Sequence, residues 1–499
     1  TITTTANGTI NGAAITLTAN GGDVTIGGVV TGSGLFTSSG ANFTNTASIT
    51  ALGLTVTHTG DVLFDAAIDG LTGAIAVNGH KIKSTANGTM HGAAITLTSD
   101  TSVQIGGVVT GTGLFKSSGT TFTNTASIAA PNVTLVHTGL VTFAANITAG
   151  NGNGAMAVTG AGVDQTAGIL KAGTLVLHGT GNFGINKANK VGKLAGDITG
   201  ALSFTNDRDL TVGTIGSTVG LITHDGDVSV KVSSGNLAVN QQIFSGTGGI
   251  TFAVPAGSVS IIGLLTTTGG FTSSGINFVN SSQIITTSIA LHHTGTARIL
   301  ANLTATDGNI VDDAATVLGA NLKASGNVTA PKHIVLINGP RSVYAGGSQG
   351  IILGSEGGID AGAPHADLVV HTSDVNATPK IELGRMGTAT NRLGDVHIMS
   401  AYDVVLDGNI YANTLFLEDA IPGSVSQVPT KATISHRGDL IIDTNGVLAP
   451  GGGVQVGATP SFPVGANNDQ LIAGVGFFME RGQKLTVFGS GASEGNLTI

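Results

Sequence analysis

The chain has 499 residues, a formal net charge of −9, 78 Gly and no Cys or Trp, which excludes disulfides and thiolate metal sites. Its 20 Lys and Arg are spread thinly with no basic stripe, and aromatics are 4%, so nucleic acid is not an expected partner. At 41% hydrophobic the chain has the apolar content to fold, yet it lacks an apolar run long enough for a spanning helix, so membrane insertion is not expected.

Short strand-like runs begin with Ile15-Thr-Leu-Thr18 and Val24-Thr-Ile26. Further starts fall near Leu35, Leu54, Ala74, Ala94, Leu114, Val133, Ala155 and Thr174, roughly 20 residues apart. Alternating apolar and small polar residues mark half-buried strands, and the intervening Gly, Asn and Ser mark turns. A longer period overlies this beat. The text of Thr4–Ile68 returns at Ser84–Ile147, offset by 80 residues and then by 79 after a deletion near Asp100. Phe36-Thr-Ser-Ser-Gly-Ala-Asn-Phe43 returns again as Phe271-Thr-Ser-Ser-Gly-Ile-Asn-Phe278. A fixed repeat of this composition buries its apolar face by stacking on its neighbours.

The fold expected is all-β, a right-handed parallel β-helix (β-solenoid) with three short strands in each coil of about 20 residues. At ~4.8 Å per coil, about 25 coils would make a rod near 120 Å long. A propeller would carry aromatic signatures every ~40–45 residues. An array of sandwiches would carry linker-marked boundaries. Neither is present. Residues 1–331 read as a regular shaft of four ~79-residue repeats, the third diverged. From 332 to 427 the repeats become ragged, charge rises and Pro340, Pro364 and Pro379 appear, so inserted loops are expected there. Residues 428–499 read as further coils. The chain opens and closes in repeat-like text and is expected to be a piece of a longer protein or one processed at both ends.

His58, His137, His224 and His293 are the most visible recurring polar residues, each before a turn. Four coils separate successive copies, about 19 Å along the axis, whereas a metal needs its ligands ~2 Å away. They are read as structural strand-end residues, and no metal or cofactor is expected. Asn45, Asn124 and Asn280 follow Phe43, Phe122 and Phe278 and are read as turn residues bonding the main chain. Asp207-Arg-Asp209 and Asp312-Asp313 are the places where paired carboxylates could serve a glycosidase or a calcium-dependent lyase, but no catalytic residue is assigned. Arg437-Gly-Asp439 reads as a turn before Leu440-Ile-Ile442. The Thr-x-Thr pairs Thr16/Thr18 and Thr55/Thr57 skip coils, which an ice-binding face does not do. The Asn-x-Thr sequons follow from composition.

The run from Ala14-Ile-Thr-Leu-Thr18 through Asp23-Val-Thr-Ile-Gly-Gly-Val-Val-Thr-Gly-Ser-Gly34 resembles the repeats of filamentous-haemagglutinin-type and autotransporter-passenger proteins. Gly446-Val-Leu-Ala-Pro-Gly-Gly-Gly453, Asn468-Asp-Gln-Leu-Ile472 and Gly482-Gln-Lys-Leu-Thr-Val487 resemble the repeat that closes many such passengers. The resemblance implies a large bacterial surface or secreted β-helix acting in adhesion, surface coating or fibre formation. It brings no catalytic residues. The Asn-Pro-Asn motifs of the two-partner secretion domain do not occur, so no export route is carried over. The expected function is an extracellular structural and adhesive rod, or a subunit of a fibre or sheath. The expected partners are further copies of itself, head to tail or laterally, and a host or matrix glycan or protein. The alternative is a carbohydrate-binding or polysaccharide-cleaving β-helix.

Overall fold

The computed structural model is an all-β parallel β-solenoid with about 20 residues per coil and almost no helix. The structure describes residues 1–337, 339–363, 366–372, 379–388, 390–399 and 404–418. Beyond these it describes only strand backbone at 432–436, 440–443, 454–456, 470–471, 475–479 and 485–488. Arg437-Gly-Asp439, Gly446–Gly453 and Asn468-Asp469 therefore lie outside the described residues. The chain forms two compact units, Thr1–Gly248 and Gly249–Ile499.

In the first unit each coil has three faces, and in the first coils each face carries its own short strand. Ile15–Thr18, Phe36–Gly40 and Leu54–His58 lie on the first face. Val24–Ile26, Phe43–Asn45 and Val62–Phe64 lie on the second, and Val30–Gly32, Ile49–Thr50 and Ile68–Asp69 on the third. The pairing is parallel and in register: Val24 faces Phe43, which faces Val62. Strand alternation then places every second residue in the interior. Phe36, Phe43, Phe64, Phe115 and Phe122 are fully buried beside stacked Ile, Val and Leu. Each such side chain contributes roughly 1.5–3 kcal/mol of burial.

The strands are not uniformly short. Ile75–Ser84 and Ile95–Ile105 run across the corner between the first two faces, with a register shift between Gly79 and Lys81. Phe183–Ile198 spans 16 residues. Thr214–Ile215 and Thr218–Val219 form an antiparallel pair beside the parallel ladder.

The corners need glycine where coils touch. A Cβ on Gly28 would lie 1.5 Å from the carbonyl oxygen of Gly8, and one on Gly107 2.4 Å from that of Gly88, its repeat partner. The second unit repeats the three-faced plan. Its faces run through Ile250–Val254, Phe271–Gly275 and Ile289–His293, Val259–Ile261, Phe278–Asn280 and Thr296–Ile299, and Leu265–Thr266, Ile284–Thr286 and Leu303–Ala305. Coils lengthen further on. Val328 pairs with Ile351, and Ile351 with Ile381, 30 residues later.

Candidate functional site

The Phe-Thr-Ser-Ser-Gly phrase and the later histidine form one buried arrangement, present three times among the described residues. Ser38 Oγ lies 2.9 Å from His58 Nε2, Ser117 Oγ 3.1 Å from His137 Nε2, and Ser273 Oγ 3.0 Å from His293 Nε2. Serine and histidine are 20 residues apart in each copy, one coil. Each imidazole tilts against a phenylalanine, Phe43, Phe122 or Phe278, with ring centres 5.3–5.4 Å apart. Each histidine is in register with a glycine of the coil before it, Gly40, Gly119 or Gly275.

A serine hydroxyl on an imidazole nitrogen is the geometry of a nucleophile and its base. Access decides against chemistry here. The three serines are 0% exposed and the histidines 4%, 1% and 3%, so a substrate reaches neither atom. Nδ1 of all three histidines has no hydrogen-bond partner, so the third group that orients a catalytic imidazole is missing. Burial holds the imidazoles neutral. It lowers His58 and brings His137 and His293 down to about 4. The arrangement ties two coils together with one polar pair.

Asn45, Asn124 and Asn280 are also fully buried. Asn45 Nδ2 donates to the carbonyl of Ala47 in its own turn and to that of Ala66 one coil on, at 3.1 and 3.0 Å. Asn124 does the same with Ala126 and Ala145, and Asn280 with Ser282 and Ala301. Carbonyls that a tight turn would strand in the core gain donors this way.

His224 does not share the position of the other three. It lies after the short strand Leu221–Ile222 and is exposed, and its Nε2 bonds Asp197 Oδ1 at 2.7 Å. His224 and Asp225 both have positive φ, 44° and 81°, a turn with no counterpart at His58. The text around it matches the repeat, but the residue 20 positions earlier is Phe204, not serine. His224 belongs instead with surface His–Asp pairs that bridge coils: His91 with Asp69 at 2.8 Å, His292 with Asp313 at 2.5 Å and His333 with Asp360 at 2.8 Å. Where both partners are exposed, as in His91–Asp69 and His292–Asp313, such a pair is worth roughly 0–1 kcal/mol. Asp360 also receives both Arg385 terminal nitrogens, at 2.6 and 2.9 Å, and this guanidinium holds its carboxyl below the usual range.

The acidic clusters do not present two carboxylates to one point. Asp312 and Asp313 are neighbours on a strand edge, so one points inward and the other outward. Asp312 is 1% exposed and accepts hydrogen bonds from the Ala314 N–H and the Thr316 hydroxyl, at 3.1 and 2.7 Å. Burial raises its carboxyl to about 6. Asp313 is the partner of exposed His292. Asp207 reaches back one coil to Lys190 at 4.0 Å, while Asp209 reaches forward to the Asn236 N–H at 2.7 Å. Among the described residues no group of three or more His, Asp or Glu is placed to hold a metal ion. On the first face, Thr16/Thr18, Thr55/Thr57 and Thr96/Thr98 stand on alternate coils, with Thr37/Ser39 and Ala76/Asn78 between them.

One cluster contradicts the expectation of thinly spread cations. Five of the 20 Lys and Arg fall between Lys171 and Arg208, and the coil register brings two of them side by side at one corner of the first unit. Lys171 and Lys190 are direct register partners on adjacent strands. Their separation of 19 residues hides this in the linear text.

Compared with family models, with curated proteins and with solved structures, the chain finds no match in any of the three.

Proposed function

We propose that this chain is a bacterial surface or secreted β-helix with a structural and adhesive role, bearing binding surfaces or packing into a fibre or sheath, and that it is not an enzyme. The observation that carries the proposal is the fate of the repeated polar residues. Ser38, Ser117, Ser273 and their histidines, like Asn45, Asn124 and Asn280, are buried and spent on bonds within and between coils. A repeat kept for catalysis would expose at least one such group to substrate. The acidic pairs support the same reading, since their carboxylates diverge into separate bonds. So does the likeness of the repeats to filamentous-haemagglutinin-type passengers.

The test is to coat beads with the purified protein and to measure both their attachment to surfaces bearing host-type glycans or matrix proteins and the release of new reducing ends from soluble polysaccharides. Attachment, or regular self-assembly, without release is the expected result. Release that disappears on replacing Asp207, Asp209 or Asp313 by Asn would overturn the proposal in favour of a polysaccharide-cleaving β-helix.

A further inference from the structure

We infer that the corner built by Lys171, Lys190, Lys193 and Arg208 is a binding site for a linear anionic polysaccharide, carboxylated or sulfated. This names a partner class for the adhesive reading and rests on it. Lys171 and Lys190 point outward, because Leu170, Ala172 and Val191 beside them are buried. In register on neighbouring strands, their backbones are ~4.8 Å apart. Like charges directly opposed across a ladder are destabilising, and the small polar residues that fill the outward columns elsewhere would avoid that cost. One carboxylate, Asp207, stands at 4.0 Å from Lys190. Asp209, the next acid, is bonded to the Asn236 main chain.

The remaining cations extend the patch along and across the coils. The Arg208 guanidinium lies over Gly192, where a Cβ would be 3.8 Å from Nη2. Gly192 separates Val191 from Lys193, whose stem packs over Gly213. Lys171, Lys190 and Arg208 stand on three successive coils, so the patch runs along the stack rather than converging on one point. A small anion would meet one or two of them, whereas a chain with a charge on successive sugars meets several and releases their counterions together. No aromatic residue falls between Lys171 and Arg208 except Phe183 and Phe204, both buried, so the stacking platform of a single-strand nucleic-acid site is missing.

The intact protein is titrated with fluorescent polygalacturonate and with chondroitin sulfate, at low and at high salt. Neutral dextran and duplex DNA serve as comparison ligands. The variant K171Q/K190Q/R208Q is compared with K81Q/K83Q/K116Q, which removes the same charge elsewhere on the unit. The expected result is binding of an anionic glycan at low salt, weakened about 10-fold or more at high salt, and about 10-fold weaker in the corner variant. The control variant is expected to stay within about 2-fold of wild type, the non-specific share of the charge effect. Removing the opposed lysines also leaves the melting temperature equal or higher; if the triple variant melts lower, K171Q alone must still weaken binding. Equal binding by the corner and control variants overturns the inference, as does duplex DNA binding as tightly as the glycans. If the intact protein adheres to surfaces but the corner variant adheres equally, the corner fails and the adhesive reading stands. If the intact protein adheres to nothing and does not self-assemble, both fall.

Discussion

Ser117 Oγ and His137 Nε2 lie 3.1 Å apart on successive coils, with both side chains closed off from solvent. The imidazole has no second partner, since Nδ1 is already unpaired. Ser117→Ala therefore leaves the ring with no hydrogen bond at all. The expected loss is about 1–3 kcal/mol, read as a lower midpoint of chemical unfolding. Combining it with His137→Leu removes both partners. The double-mutant cycle should give a coupling of about 0.5–3 kcal/mol, and additive losses would mean that the two residues do not depend on each other.

Acid should weaken the fold through the same histidines. His137 and His293 sit at about 4 in the folded chain against 6.5 when exposed. Between those values the unfolded chain binds more protons, so stability is complete above pH 6.5 and falls as pH drops towards 4. His58, also lowered by burial, adds to the same trend. Melting temperature measured across this window should decline on acidification, and more shallowly when the serine–histidine pairs are replaced by apolar residues.

Asp312 works in the opposite direction. Its folded value of about 6 lies above its ordinary 3.8, so between these the folded chain binds the extra proton. The stability it contributes is complete below 3.8 and is lost as pH rises through about 6. Asp312→Asn abolishes that loss and keeps the shape. The Thr316 hydroxyl can turn to accept from the new amide while donating to the Ala314 carbonyl, 3.2 Å away. The variant should melt higher than wild type at pH 8 and lose that advantage at pH 4.

Two glycines separate close approach from backbone conformation. Gly28→Ala puts a Cβ 1.5 Å from the Gly8 carbonyl oxygen and forces the coils apart, at a cost of about 1–3 kcal/mol or more. Gly21→Ala meets nothing within 4 Å but must hold φ at 71°, which costs about 1–2 kcal/mol. Their unfolding midpoints should fall in that order.

Much of the fold was legible because a coil is a translation. Thr4–Ile68 and Ser84–Ile147 share a text because they share a place in the stack. Alternation in Leu54–His58 announces which residues are inward. The buried serines were missed because Ser38-Ser39 looks like turn material. The signal available was the constant interval of 20 residues from Ser38, Ser117 and Ser273 to a histidine, which equals one coil. The same interval would have removed His224 from the set, since Phe204 stands where the serine should be. The cationic corner was missed for a related reason. Lys171 and Lys190 are remote in sequence and adjacent only through pairing, so composition averaged along the chain dilutes them. Asp312 and Asp313 looked like a pair because sequence adjacency hides the strand pleat that turns them to opposite sides.

The most direct measurement is an NMR pH titration of the imidazole carbons in the intact protein with labelled histidine. Assignment comes from single substitutions at His58, His137 and His293. If the recurring polar residues serve only to hold coils together, the His137 and His293 signals stay neutral until the pH approaches about 4. Reversible titration of either near 6.5, with the fold intact, would mean that solvent reaches the Ser–His pairs, and would contradict a purely structural role for them.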